Sequence, residues 1–135
     1  MSAKERPILF SAPMVRVLVC GGRNYGDATR VFMVLDRINA ESPIDILIHG
    51  GAFGADALAN KWALTRAVQI AAFPVSGEQW RRRGKGEGPR RNQLMLDLCQ
   101  PSIVVAFPGG TGTADMLRRA KATGASPQAI HEVQP

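Results

Sequence analysis

Apolar positions along the chain follow two alternating rhythms. Short β-branched runs at residues 15–20 (VRVLVC), 44–48 (IDILI), 68–73 (VQIAAF) and 102–107 (SIVVAF) are dense enough for buried strands. Between them the apolar spacing turns helical. Val31, Val34, Leu35 and Ile38 predict a helix over 28–40, which Asp27 can cap. Residues 55–67, rich in Ala and Leu and free of Gly and Pro, predict a second. A third runs from Pro89, suited to a helix start, to Leu98. A fourth spans 113–123 and closes on Gly124. Residues 129–133 predict an edge strand. The polar, Arg- and Gly-rich stretch 76–89 predicts a long loop, of the functional or mobile kind. Strands alternating with helices imply βαβ units, hence an α/β chain. The reading is a single Rossmann-like domain over 14–135, with a mainly parallel sheet flanked by helices and an extension at 1–13.

The composition narrows the partners. At 135 residues there is room for one ordinary core. No apolar run is long enough to span a bilayer, and the start lacks the apolar segment of a secretory signal, so no membrane partner and a cytoplasmic location are expected. Two cysteines, Cys20 and Cys99, are expected as buried free thiols. The 17 basic residues against 11 acidic ones, net +6, favour an anionic partner. Arg81, Arg82, Arg83, Lys85, Arg90 and Arg91 concentrate that charge.

Three glycine-bearing turns follow three strands, and in a parallel sheet they converge on the carboxyl edge, where ligands bind. Pro108-Gly109-Gly110-Thr111-Gly112-Thr113 joins a strand to a helix. Its glycines permit positive φ and let backbone N–H groups approach a phosphate, which the helix N-terminus also favours. It lacks the Gly-Lys-Ser/Thr ending of a Walker loop. In His49-Gly50-Gly51-Ala52-Phe53-Gly54-Ala55-Asp56, the glycines can let a ribose or base lie on the backbone. Asp56 can bond sugar hydroxyls or favour the helix dipole. His49 is either an acid–base group or a buried structural histidine. In Cys20-Gly21-Gly22-Arg23-Asn24-Tyr25, Arg23 suits a phosphate, Asn24 adds an amide and Tyr25 can stack on a base. Neither His49 nor His131 has the companions of a metal site.

These segments, with Gly88-Pro-Arg-Arg-Asn-Gln-Leu-Met95, resemble the YpsA-related proteins of the SLOG superfamily, in order from Val15 to Gly124. The resemblance implies a Rossmann-like fold that binds nucleotides or nucleotide-derived ligands, and self-association, with a dimer favoured. Relatives include the lonely-guy (LOG) phosphoribohydrolases and the single-stranded-DNA-binding DNA-processing protein A. The LOG pattern Pro-Gly-Gly-x-Gly-Thr-x-x-Glu is matched by Gly109, Gly110, Thr111, Gly112 and Thr113, which it implies hold the phosphate. Its catalytic glutamate falls on Met116, which cannot handle protons. Arg91, beside Asn92, is the equivalent of a LOG arginine, and Asp115 is adjacent to the lost glutamate. The phosphate-holding half thus survives better than the hydrolytic half.

The expected function is binding or sensing of a nucleotide-derived ligand. The alternatives are a LOG-like N-glycosidase using Asp115 or Asp56 with Arg91, and a single-stranded nucleic-acid module using Trp80 and the arginines. No cofactor is expected, although a phosphorylated ligand can carry Mg²⁺.

Overall fold

The structure, a computed structural model, describes residues 14–123, 127 and 129–135. The extension at 1–13 and the closing Gly124 lie outside the described residues. In chain order the elements are β1 (Arg16–Cys20), α1 (Ala28–Glu41), β2 (Ile46–His49), α2 (Ala55–Thr65), β3 (Gln69–Ala72) and α3 (Gly77–Arg83). A 3₁₀ turn at Gly84–Gly86 leads into α4 (Glu87–Cys99), β4 (Ile103–Ala106), α5 (Thr111–Ala122) and β5 (Ala129–Glu132).

Every strand pairing is parallel, in the order β3-β2-β1-β4-β5. The order reverses between β1 and β4, and that switch point is where such sheets open a crevice at their carboxyl ends. Alternate strand residues face opposite layers, as the two-residue period of a strand requires. Val17, Val19, Leu47 and Val105 pack with Val31, Leu35 and Trp62 on the α1–α2 side. Leu18, Ile48 and Val104 pack with Met95, Leu96, Met116 and Ala120 on the α4–α5 side. Each fully buried aliphatic chain contributes about 1.5–3 kcal/mol, so both layers hold the sheet.

Local signals explain most boundaries. Asp27 caps α1 by accepting from Arg30 N–H at 2.9 Å. The stretch 76–89, expected as a loop, is instead helical for most of its length. Ser76 Oγ accepts from Gln79 N–H (3.1 Å) while Gln79 Oε1 accepts from Ser76 N–H (2.8 Å), a reciprocal capping box that starts α3. Arg81, Arg82 and Arg83 occupy its last turn, where cations complement the helix dipole. Likewise α4 begins at Glu87 rather than Pro89, which falls in the first turn, where its missing N–H is not needed. Cys20 is buried as expected, Cys99 only half-buried, and both are free thiols. No helix among the described residues is long and apolar enough to cross a membrane.

Candidate functional site

The three glycine turns do converge. Gly22 N–H donates to Pro108 O (2.9 Å), joining the turns after β1 and β4, and Ala55 N–H donates to Gly22 O (3.2 Å), joining the start of α2 to both. These approaches need glycine. A Cβ on Gly21 would stand 2.5 Å from Ala55 Cβ, and one on Gly109 would stand 2.7 Å from Gly22 N and overlap Thr113.

Positive φ, expected of the third turn, is found at Gly51 (72°) and Gly54 (73°) in the second. The third turn has a different use for its glycines. A Cβ on Gly110 or Gly112 would meet nothing within 4 Å, so these residues border open space. No side chain caps α5, whose N-cap is Gly110. Its first-turn N–H groups lack intrahelical partners by geometry and carry the positive end of the dipole. Thr111 is exposed beside them, whereas Thr113 is buried against Gly109.

Arg91 reaches this edge from α4. Its Nη1 donates to Gly50 O (2.6 Å) and to Phe73 O (3.2 Å), bracing the ends of β2 and β3, and its Nε donates to Asn92 Oδ1 (3.3 Å). Nη2 makes no hydrogen bond among the described residues. Burial lowers the Arg91 pKa, nearby Asp56 raises it and the Arg23 guanidinium lowers it further. Two cations therefore share the edge, with exposed Arg23 lying over the Trp80 ring at 5.8 Å. Asn24 is exposed alongside.

Asp56 is buried, and its Oδ2 accepts from Gly50 N–H (3.1 Å) and Ala52 N–H (3.2 Å), shaping the second turn. Burial raises its pKa, against the pull of the Ala52 N–H, His49, Arg91 and the Gly50 N–H. Its Oδ1 has no partner among the described residues. His49 is buried with both ring nitrogens engaged: Nδ1 accepts from Gly51 N–H (2.9 Å), leaving Nε2–H to donate to Asn60 Oδ1 (2.8 Å). That is the structural alternative weighed for this histidine. Tyr25 is half-buried and packs on Phe107, ring centroids 5.4 Å apart. The Cys20 thiol, pushed to about 12 by burial and by Asp56 against the pull of Arg91, stays protonated and inert.

The residues brought in for hydrolysis are otherwise committed. Met116 is 1% exposed and faces the α4–α5 core. Asp115 accepts from Asn92 Nδ2 (3.0 Å), Arg119 Nε (2.8 Å) and Arg118 Nη2 (2.6 Å). Buried Asn92 also donates to Gly112 O (3.3 Å), so this network ties α4 to the start of α5. Burial would raise the Asp115 pKa, but Asn92, Arg119 and Arg118 outweigh it and hold the carboxyl below its usual 3.8. A carboxylate with a lowered folded-state pKa adds stability above the unfolded value, which is lost as pH falls through the folded one. Asp115→Asn is thus expected to melt below wild type at pH 7, with the gap closing below about pH 3.8. Melting curves across pH check this, and a gap constant with pH would refute the ion-paired role.

Phe53, 81% exposed at the tip of the second turn, Gln79 and buried Glu87 also border this edge, and sequence reasoning assigned them nothing. The Ser76-x-x-Gln79 capping box was the available signal for Gln79. No group of three or more His, Cys, Asp or Glu that could hold a metal occurs among the described residues.

A family model for the YspA, cpYpsA-related SLOG family matches residues 15–80, taking in the first two glycine turns. The chain is also similar to the Gene 61 protein of Mycobacterium phage D29, 35% identical over 118 residues that cover 82% of this chain and 92% of the relative. No solved structure matches.

Proposed function

The chain belongs to the YspA, cpYpsA-related SLOG family, and on that premise we propose that it binds a nucleotide or nucleotide-derived ligand at the β1–β4 switch point. The observation that carries this reading is the uncapped start of α5 beside open space at Gly110 and Gly112. By contrast, the first N–H of α2 is already taken by Gly22 O. A phosphate at α5 would meet unpaired N–H donors, the Thr111 hydroxyl and the positive field of Arg23 and Arg91.

Base release by LOG-like chemistry has narrower support. Asp115 is ion-paired and Met116 is in the core, which leaves Asp56, with its raised pKa and open Oδ1, as the acid in the right place. Single-stranded nucleic acid is supported by exposed Arg81, Arg82 and Arg83, but Trp80 is already occupied by Arg23. Its binding would weaken steeply between about 50 and 200 mM salt.

Thermal melting with nucleoside mono-, di- and triphosphates, cyclic nucleotides and ADP-ribose tests the proposal. At about 100 times its dissociation constant a ligand adds about 2.7 kcal/mol, which moves the melting point of a chain this size by about 10 °C. Gly112→Ala supplies the internal control. Alanine in a helix turn stabilises by about 0.5–1 kcal/mol over glycine, yet its methyl enters the open space. The unliganded variant is therefore expected to melt higher and to respond less to ligand. No shift with any nucleotide, or a shift unchanged in Gly112→Ala and Gly110→Val, would refute the site. Free base accumulating in the same samples would favour the hydrolytic reading.

A further inference from the structure

A pocket of about 190 Å³ opens past the end of β3, walled by Phe73, Val75 and Leu94. Pockets that bury a whole small ligand are roughly 300–1,000 Å³, so this one suits a flat fragment. Its acid is Glu87, only 4% exposed. Gln79 Nε2 donates to Glu87 Oε1 across a long 3.4 Å, and Oε2 accepts no hydrogen bond among the described residues. Arg83 Nη1 and Arg90 Nε flank that oxygen at 3.6 and 4.0 Å, near enough for charge but not for bonding. Buried acceptors left without a donor are rare in folded proteins, and each asks for an explanation. An N–H brought by a ligand would supply one.

Arg91 lines the same pocket and donates to Gly50 O in the second glycine turn, so one guanidinium links the pocket to the edge that carries the glycine turns. We propose that it receives the base of the bound nucleotide, and that this base is guanine. Guanine alone among the common bases presents two adjacent N–H donors, on N1 and N2, that fit a carboxylate. Its O6 and N7 acceptors fit an arginine, here Arg83 or Arg90. Adenine and cytosine would set a ring-nitrogen acceptor beside the carboxylate, and uracil would set carbonyl oxygens there.

The inference rests on the nucleotide reading, and the test separates the two. Calorimetric titration of the full chain would use GMP, IMP, AMP and ribose 5-phosphate. A good bidentate pair discriminates by about 1–3 kcal/mol, so GMP is expected to bind at least about fivefold more tightly than AMP. IMP, which lacks the 2-amino donor, is expected between them. Glu87→Gln should abolish the preference for GMP, because its carboxamide offers adenine the N–H that the carboxylate lacks, and should leave ribose 5-phosphate unchanged. A merely structural Glu87 would move all four alike. Should that variant not fold, Leu94→Trp fills the pocket from its rim and carries the same expectation. Equal affinity for GMP and AMP, or a preference surviving in these variants, overturns the base pocket and leaves the phosphate site standing. No binding of any probe, ribose 5-phosphate included, overturns the phosphate site and this inference with it.

Discussion

Gly54→Ala is expected to destabilise the fold by about 3 kcal/mol or more and to lower the melting point by about 10 °C. Gly54 has φ 73°, where an L-residue costs about 1–2 kcal/mol. Strain is the smaller part. The new Cβ would overlap Gly22 O and stand 2.5 Å from Arg23 O, both backbone atoms. Gly22 O also accepts from Tyr25 and Ala55 N–H, so moving it disturbs the turn after β1 and the start of α2 together. Urea or thermal unfolding reads the loss directly. Gly26→Ala is the control, since a Cβ there meets nothing within 4 Å and φ is not positive. If the two variants melted alike, the close approach of the turns would be wrong.

Arg91→Ala is expected to cost about 3 kcal/mol, because hydrogen bonds from a charged donor contribute about 1.5–3 kcal/mol each and two carbonyls lose theirs. Gly50 O and Phe73 O close the ends of β2 and β3, so both strand ends loosen. The same change removes a cation beside Asp56 and from the proposed phosphate site, so the ligand-induced melting shift should disappear too. Arg23→Ala separates these effects. It takes an equal charge from the edge but no hydrogen bond, and should weaken ligand binding while leaving the urea midpoint close to wild type. An Arg91→Ala protein as stable as Arg23→Ala would show that the guanidinium braces nothing.

The sheet was legible because β-branched runs broken by glycine admit few other readings, and the observed strands fall within those runs to a residue or so. Charge and glycine hid α3. A run of arginines between glycines has the composition of a loop, and only the Ser76–Gln79 spacing marks a helix start. The end of α2 was misread by two residues for a related reason. Ala67 takes the left-handed position (φ 56°) that glycine usually announces. At the site, the glycine turns were readable as backbone features, since close approach and exposed N–H groups follow from residue type. Side-chain commitments were not. The Asp115 pairs with Arg118 and Arg119 are the exception, since i,i+3 and i,i+4 spacing on one helix is a local signal. That His49 Nε2 meets Asn60, that Asn92 reaches Asp115 from α4, and that Glu87 is buried all depend on which faces arrive opposite them. No local pattern in one sequence encodes that.

The switch point also has a place in time. β1 leaves the ribosome first among the strands, yet one of its edges waits for β4, and Arg16 N–H finds its Ser102 Oγ partner 86 residues later. Loop-closure entropy must be met before so distant a pairing is rewarded, which makes such joins slow. β3-β2-β1 can assemble from neighbouring chain, but the seam with β4 needs the chain through Ala106. The proposed phosphate site lies along that seam, so it comes into being only once β4 has joined β1.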